Sequence, residues 1–373
     1  MTNREKLISY VKYGGEKYIC SPQIGAGAGF DTKLAGKTWI SETTFEDTKN
    51  ACELFDIVPL YNFPLPDLTQ LFDDINLESI NTLEGKMRKT ITRFITPKGV
   101  LEHCIVEDER NGAVMTKYFI TEEDELSILD YYLDRLLEMK DFSFVTEQVY
   151  EMRKIVGEDN ALDIQWAMQP YELLCFPDTM NTALLMKIYP EICIALMDKI
   201  LLLNEYLIQA VARGGADFVF LGGPGIEMIS PQYYEDYLIP YSKPISQIAH
   251  NNGLLIYSHI CSPIEPMLTK GYYNEMGIDL FETLSQTPVG NVKSIEDAFS
   301  KLSPDICTRG NIGLDKLLLS KPEEIKEIGL EILQKAKTLG RKHILAASDY
   351  LFFDINPENV HAMAEAVREI NND

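Results

Sequence analysis

Nowhere does this 373-residue chain run to roughly 20 consecutive apolar residues, so no segment is expected to cross a membrane as a helix. Basic residues are scarce. The 34 Lys and Arg stand against 57 Asp and Glu, a formal net charge of −23. No Lys/Arg cluster offers the basic face a nucleic-acid binder needs, which argues against that class. A large polyanionic substrate would need such a cluster too. The opening stretch, MTNREKLISYVKYGG, has no apolar centre of the signal-peptide kind. The seven cysteines are scattered and odd in number. They read as reduced thiols of a cytoplasmic protein, not as a disulfide framework. Internal repeats and low-complexity linkers are absent. The GAGAG run at 25–29 lacks both the GxGxxG spacing and the Lys of a phosphate-binding loop, so it reads as a flexible loop.

What is present is a large apolar fraction, 46%, in a regular order. From residue 160 onward, short apolar runs alternate with helical patterns. ALDIQWAM, ADFVFLGG, LLIYSHIC, IDLFETL, ICTRGNI and HILAASD read as strands. Between them, SPQYYEDYLIPYSKPISQIAHNNG reads as a helix with Ser230 as N-cap and Pro231 at its first position. Continuous apolar strands separated by helices imply a parallel sheet covered on both faces. The number of repeats favours a (β/α)8 TIM barrel, one domain over 1–373. Residues from about 85 to 120 break the pattern. Alternating runs with the turn signals PKG and RNG predict a small β-hairpin insertion there.

In such a barrel, chemistry sits where the strands end at their C-terminal side. The segment GLLIYSHICSP, residues 253–263, places His259 and Cys261 at one strand end. Side chains alternate faces along a strand, so the two point the same way, and Tyr257 shares that face. The other polar residues at strand ends are Gln165, Glu227 after the Gly222–Pro224 turn, Glu282, Asn311 and Asp349. His259 could equally be a satisfied core histidine, and Cys261 a small buried hydrophobe. Asp349 could be only a turn cap, and Glu227 a first-turn acid. Glu282 could act as ligand or base, or pair with Arg309 on the next strand.

Over roughly residues 160–370 the chain resembles the uroporphyrinogen decarboxylase superfamily. The segments that carry the likeness are GADFVFLGGPGIEMISPQYYEDYLIPYSKPI, YSHICS, GIDLFETLSQTPVGNV, RGNIGLDKLL and ILAASDYLFFDINPENVHAM. The decarboxylases themselves carry an Arg-rich N-terminal loop that holds a polycarboxylate. The corresponding SPQIGAGAGF contains no Arg. The resemblance therefore points to the corrinoid-dependent methyltransferase branch. Members of that branch hold zinc with His-x-Cys and a later Cys, and activate a substrate thiol.

The resemblance implies His259 and Cys261 as zinc ligands. Where the later Cys of a PGCG segment is expected, AASDY places Asp349. A His/Cys/Asp set is chemically acceptable for zinc, and Cys307 or Glu282 are alternative third ligands. Tyr257, Glu282 and Asn311 are then candidate catalytic or orienting groups. Gln165, Glu227 and Arg309 are candidate substrate contacts. The implied partners are a small methyl donor or acceptor and a corrinoid-binding protein. The expected reaction is methyl transfer, in the demethylating direction from a methoxy or methylamine donor. Three alternatives stay open: methylcobalamin:thiol transfer, decarboxylation of a small carboxylic acid, and binding of a corrinoid or other ligand without turnover. Nothing in the residues fixes an oligomeric state, and a homodimer remains open.

Overall fold

A seven-stranded parallel sheet organises the chain. The structure is a computed structural model that describes residues 1–25, 27–109, 112–165 and 179–372. In chain order the strands are β1 (Leu60–Pro64), β2 (Asn76–Glu84), β3 (Met87–Thr96), β4 (Gly99–Asp108), β5 (Gly112–Lys117) and β6 (Ala161–Gln165). They continue with β7 (Phe218–Phe220), β8 (Leu255–His259), β9 (Leu280–Thr283), β10 (Cys307–Ile312) and β11 (His343–Ala347). The parallel sheet has the order β1-β6-β7-β8-β9-β10-β11. Sequence order equals spatial order, as successive βα units dictate. The strands are buried along most of their length because helices cover one side and an interior fills the other. All residues of β9, β10 and β11 are buried.

The two edges of this sheet meet one common segment. Ser21 donates its N–H to Leu345 on β11, and Leu345 donates to Ile19. On the other side, Val58, two residues before β1, donates to Cys20. The sheet is therefore curled, with Ile19–Ser21 lying between its first and last strands. The expectation that the strands read at 216–221, 254–260, 278–283, 306–310 and 343–348 are parallel neighbours is met. Residues 166–168, read as the end of the ALDIQWAM strand, lie outside the described residues.

The helices follow local signals. Ser230 accepts a hydrogen bond from the Tyr233 N–H, with Pro231 at the first position, as its sequence predicts. The apolar stretch of 181–215 divides at Pro190 into helices Thr179–Ile188 and Pro190–Arg213. After β8 the helix Glu265–Lys270 is short. It stops at Lys270 because Gly271 adopts a left-handed conformation (φ 77°), and a single 3-10 turn follows.

The insertion is larger than the hairpin expected at about 85–120. It is a four-stranded antiparallel meander, β2-β3-β4-β5, that begins at Asn76. β2 escapes sequence reading because all nine of its residues are exposed, so no apolar alternation marks it.

One buried ion cluster ties the N-terminal side of the sheet together. Asp217, just before β7, accepts from Arg153 Nη2 at 2.6 Å, from Arg4 Nε at 2.8 Å and from the Leu162 backbone N–H at 3.0 Å. Arg153 and Asp217 are both nearly fully buried, whereas Arg4 is partly exposed. Removing Asp217 leaves an interior guanidinium without its counter-ion. Asp217→Ala is expected to lose about 3 kcal/mol of stability, and Arg4→Ala no more than about 1 kcal/mol. Urea unfolding of the two variants checks the contrast, and equal losses would contradict it.

Candidate metal centre

Strand register builds the site. His259 ends β8 and lies opposite Glu282 on β9, which lies opposite Arg309 on β10. The three side chains form one lateral row. Glu282 Oε1 is 2.5 Å from His259 Nδ1. The Arg309 guanidinium donates through Nε to Glu282 Oε2, and Gln23 Nε2 donates to the same oxygen at 3.0 Å. Tyr257, one step down β8, donates its hydroxyl to Glu282 Oε1. Glu282 is thus a fully buried carboxylate held by four groups. Burial opposes its charge, but Arg309 and His259 overcome that and bring its pKa down to about 2.

The opposite face of His259 meets different chemistry. Its Nε2 is 3.3 Å from Asp349 Oδ1, two residues beyond β11. The nearest ligand atoms of His259, Cys261 and Asp349 all lie within 4.8 Å of one another. All three residues are half-buried, so the cluster is reachable from the C-terminal ends of the strands. β8 ends at His259, yet Cys261 still comes round to the same side, as alternation predicts. Asp349 also accepts the Tyr350 N–H at 2.7 Å, so its turn-capping role and its place in the cluster coexist.

The donor set fits a zinc ion. An imidazole nitrogen, a thiolate sulfur and a carboxylate oxygen are the ligand types zinc takes, with a fourth position left open. The support is of the right kind as well. A metal-bound histidine ordinarily donates its other ring N–H to a carboxylate that fixes its orientation, and Glu282 stands at Nδ1 for that purpose. Glu282 belongs to the support of the cluster, with Arg309 and Tyr257 behind it. Cys307, the alternative third ligand, is buried at the start of β10, its thiol pushed up to about 12 by burial, and takes no part in the cluster.

Without a metal, burial pulls the His259 pKa down, but hydrogen bonds to Asp349, Cys261 and Glu282 outweigh it and raise it well above 6.5. The stability gained from this imidazolium is full below about pH 6.5, the unfolded value. It is lost as pH rises through the folded value. Metal-stripped protein is therefore expected to lose stability between pH 6.5 and the alkaline range. Melting curves across that range check it, because His259→Asn should flatten the slope.

The remaining candidates separate into two groups. Gln165, at the end of β6, donates to the Tyr350 hydroxyl at 2.9 Å and so belongs to the site. Asn311 and Glu227 do not join it. Asn311 donates to the Leu284 carbonyl at 3.2 Å and lines a separate cleft of about 320 Å³. Glu227 is exposed in the turn after β7, before the Ser230 cap. Among the described residues no contact links it to His259.

Several contributors escaped sequence reading. Tyr350 packs its ring 5.2 Å from that of His259 and receives the amides of Asn62, at 3.0 Å, and Gln165. Gln23 follows the Ile19–Ser21 segment, and Asn62 sits inside β1. The strand-end rule, applied to the N-terminal third, would have found Gln23, whereas Asn62 lies within its strand and Tyr350 stands beside Asp349. Asp163 on β6 is fully buried, and its carboxylate oxygens have no hydrogen-bond partner among the described residues. Burial raises its pKa well above the ordinary value, against the pull of Arg309.

Comparison with known proteins agrees with this architecture. The model of the uroporphyrinogen decarboxylase (URO-D) family matches residues 105–370. The uroporphyrinogen decarboxylase of Geobacter metallireducens is 24% identical over 243 residues, 62% of this chain and 67% of that protein. That of Geobacter sulfurreducens is 24% identical over 213 residues, covering 54% and 58%. Among solved structures, a methyltransferase from Methanosarcina mazei superposes over 99% of both chains with a TM-score of 0.66, at 15% identity. Since the family model spans well over half of its length, this chain belongs to the uroporphyrinogen decarboxylase family.

Proposed function

We propose that this protein transfers a methyl group between a small methylated substrate and a corrinoid-bearing partner protein, in the demethylating direction. The same reading takes Ile19–Ser21 as the eighth position of a (β/α)8 barrel. The observation that carries the proposal is the convergence of His259, Cys261 and Asp349 within 4.8 Å at the barrel mouth, with Glu282 behind the histidine. A zinc held there would supply a Lewis acid that polarises the oxygen or nitrogen from which the methyl departs.

The chain's own residues divide the remaining work. Glu282 holds His259 in one orientation and keeps a proton on Nδ1. Arg309 and Tyr257 hold Glu282. Tyr350, fixed by Asn62 and Gln165, walls the cluster beside the imidazole. Asp349 in place of a second thiolate puts less electron density on the metal. That favours polarising a neutral donor over releasing a nucleophilic thiolate, and it sets the proposed direction. Decarboxylation is disfavoured because the one interior Arg of the site, Arg309, is nearly fully buried and spends its Nε on Glu282, which leaves a substrate carboxylate poorly anchored.

The test supplies the zinc-loaded protein with reduced cobalamin and a panel of methoxylated and methylamine donors, then separately with methylcobalamin and thiols. Methylated cobalamin is expected in the first arm. Rapid thiol methylation in the second, with nothing in the first, would reverse the direction. Silence in both, with less than about one tenth of an equivalent of zinc retained, would favour the metal-free alternatives.

A further inference from the structure

The inserted sheet has a face that the proposed barrel chemistry does not use. Register sets Ser79 opposite Thr92, and Thr92 opposite His103. Hydrogen-bonding side chains thus form a rung across β2, β3 and β4. The adjacent rung on the same face is Leu77, Phe94 and Leu101. Both rungs look onto helix Glu123–Met139, and between sheet and helix lies a cavity of about 300 Å³. Thr92 at the centre of the polar rung is buried and His103 half-buried, with Ser79 at the exposed rim, and a buried strand position is ordinarily apolar and close-packed. A polar rung beneath an open cavity is what a binding floor requires.

The walls specify the ligand further. Phe94, Phe119 and Tyr132 present aromatic surface, with Leu101 and Leu129 beside them. No Asp, Glu, Lys or Arg lines the cavity among the described residues. Ser79 and Thr92 share a hydroxyl contact at 3.2 Å. The His103 ring lies against Phe119 with 4.2 Å between centroids and 14° between planes. Its Nδ1 is buried without a hydrogen-bond partner among the described residues, and buried polar atoms in folded proteins are nearly always paired. Burial lowers the His103 pKa, which leaves an uncharged ring. A hydroxyl serves either tautomer of that ring, since it both donates and accepts. The volume reaches the lower end of the range for small-molecule sites, about 300–1,000 Å³. A second cavity of about 200 Å³ adjoins it through Thr69, Leu129 and Tyr132, leaving room for a substituent.

We propose that this cavity is a second ligand site, for a small uncharged aromatic alcohol. The ring sits between Phe94, Phe119 and Tyr132, and the hydroxyl rests on the Ser79–Thr92–His103 rung. The site is separate from the His259 cluster and does not depend on the methyl-transfer reading.

Titration calorimetry with 2-naphthol on the intact protein tests it, with naphthalene as the comparison lacking a hydroxyl. One equivalent should bind, and 2-naphthol more tightly than naphthalene by about tenfold, the worth of one hydrogen bond. Leu101→Trp fills the cavity and should weaken 2-naphthol by at least about tenfold. If that variant fails to fold, His103→Phe keeps the shape of the wall and should bring the two compounds to nearly equal affinity. His259→Ala should leave 2-naphthol binding unchanged. Absence of binding overturns the proposal. So does an unaltered preference in His103→Phe, or loss of binding in His259→Ala.

Discussion

Glu282→Ala is expected to cost about 3–5 kcal/mol of folding stability, the range for breaking a buried ion pair from one side. The fully buried carboxylate receives Arg309, Tyr257, Gln23 and His259 at once. Its removal strands a guanidinium that is itself almost wholly buried. It also leaves the Tyr257 hydroxyl and the Gln23 amide without their acceptor, each a desolvated polar group. Metal affinity should fall as well, by about 10–100-fold, because the imidazole loses the partner that orients it. Glu282→Gln separates the two effects. It preserves volume and one acceptor oxygen but not the charge, so Arg309 remains uncompensated and stability still falls. Urea unfolding and zinc affinity, measured on the same preparations, give both readings. A loss below about 1 kcal/mol in Glu282→Ala would mean that water or rearrangement compensates Arg309, and that the row across β8, β9 and β10 is not the structural anchor its geometry implies.

Part of this site was legible in the residues alone, for a physical reason. Strand alternation and the strand-end rule depend only on sequence position, and they brought out His259, Cys261 and Asp349 among other strand-end candidates; that these three form one set was implied by the family resemblance, and the fold places them together. What sequence position does not carry is lateral register. Whether Glu282 would serve as ligand or base, or pair with Arg309, turns on which residue of β9 faces which residue of β8 and β10. The backbone pairing answers it: one carboxylate reaches both neighbours. Asn311 illustrates the converse. It stands near a strand end, but its amide goes to the Leu284 carbonyl, and nothing local in RGN announces that. Gln23 and Asn62 went unread because Ile19–Ser21 is only a short paired segment and β1 leads into a Pro-rich exit. Neither resembles the long apolar strands further on. β2 stayed hidden because an exposed strand has no reason to alternate.

His259→Ala is expected to give the opposite balance: nearly complete loss of metal with the fold retained. The imidazole is the only ligand that bridges the cluster and its support, with Nε2 toward Asp349 and Nδ1 toward Glu282. Without it, Cys261 and Asp349 remain as two donors, too few for a zinc site built on three. Glu282 meanwhile keeps Arg309, Tyr257 and Gln23, so the buried ion pair survives and the row across β9 and β10 stays intact. Zinc content should drop from about one equivalent to less than about one tenth. The proposed methyl transfer to cobalamin should fall with it, while the urea midpoint at neutral pH shifts far less than in Glu282→Ala. Asp349→Asn offers an intermediate case. It keeps a neutral oxygen near the metal but removes the charge, so metal should be retained only weakly. If His259→Ala keeps a full equivalent of zinc, the metal lies elsewhere and the cluster at the strand ends has another purpose. If instead it unfolds as readily as Glu282→Ala, then His259 is chiefly a partner of the buried carboxylate, and its place beside Cys261 and Asp349 is a consequence of packing.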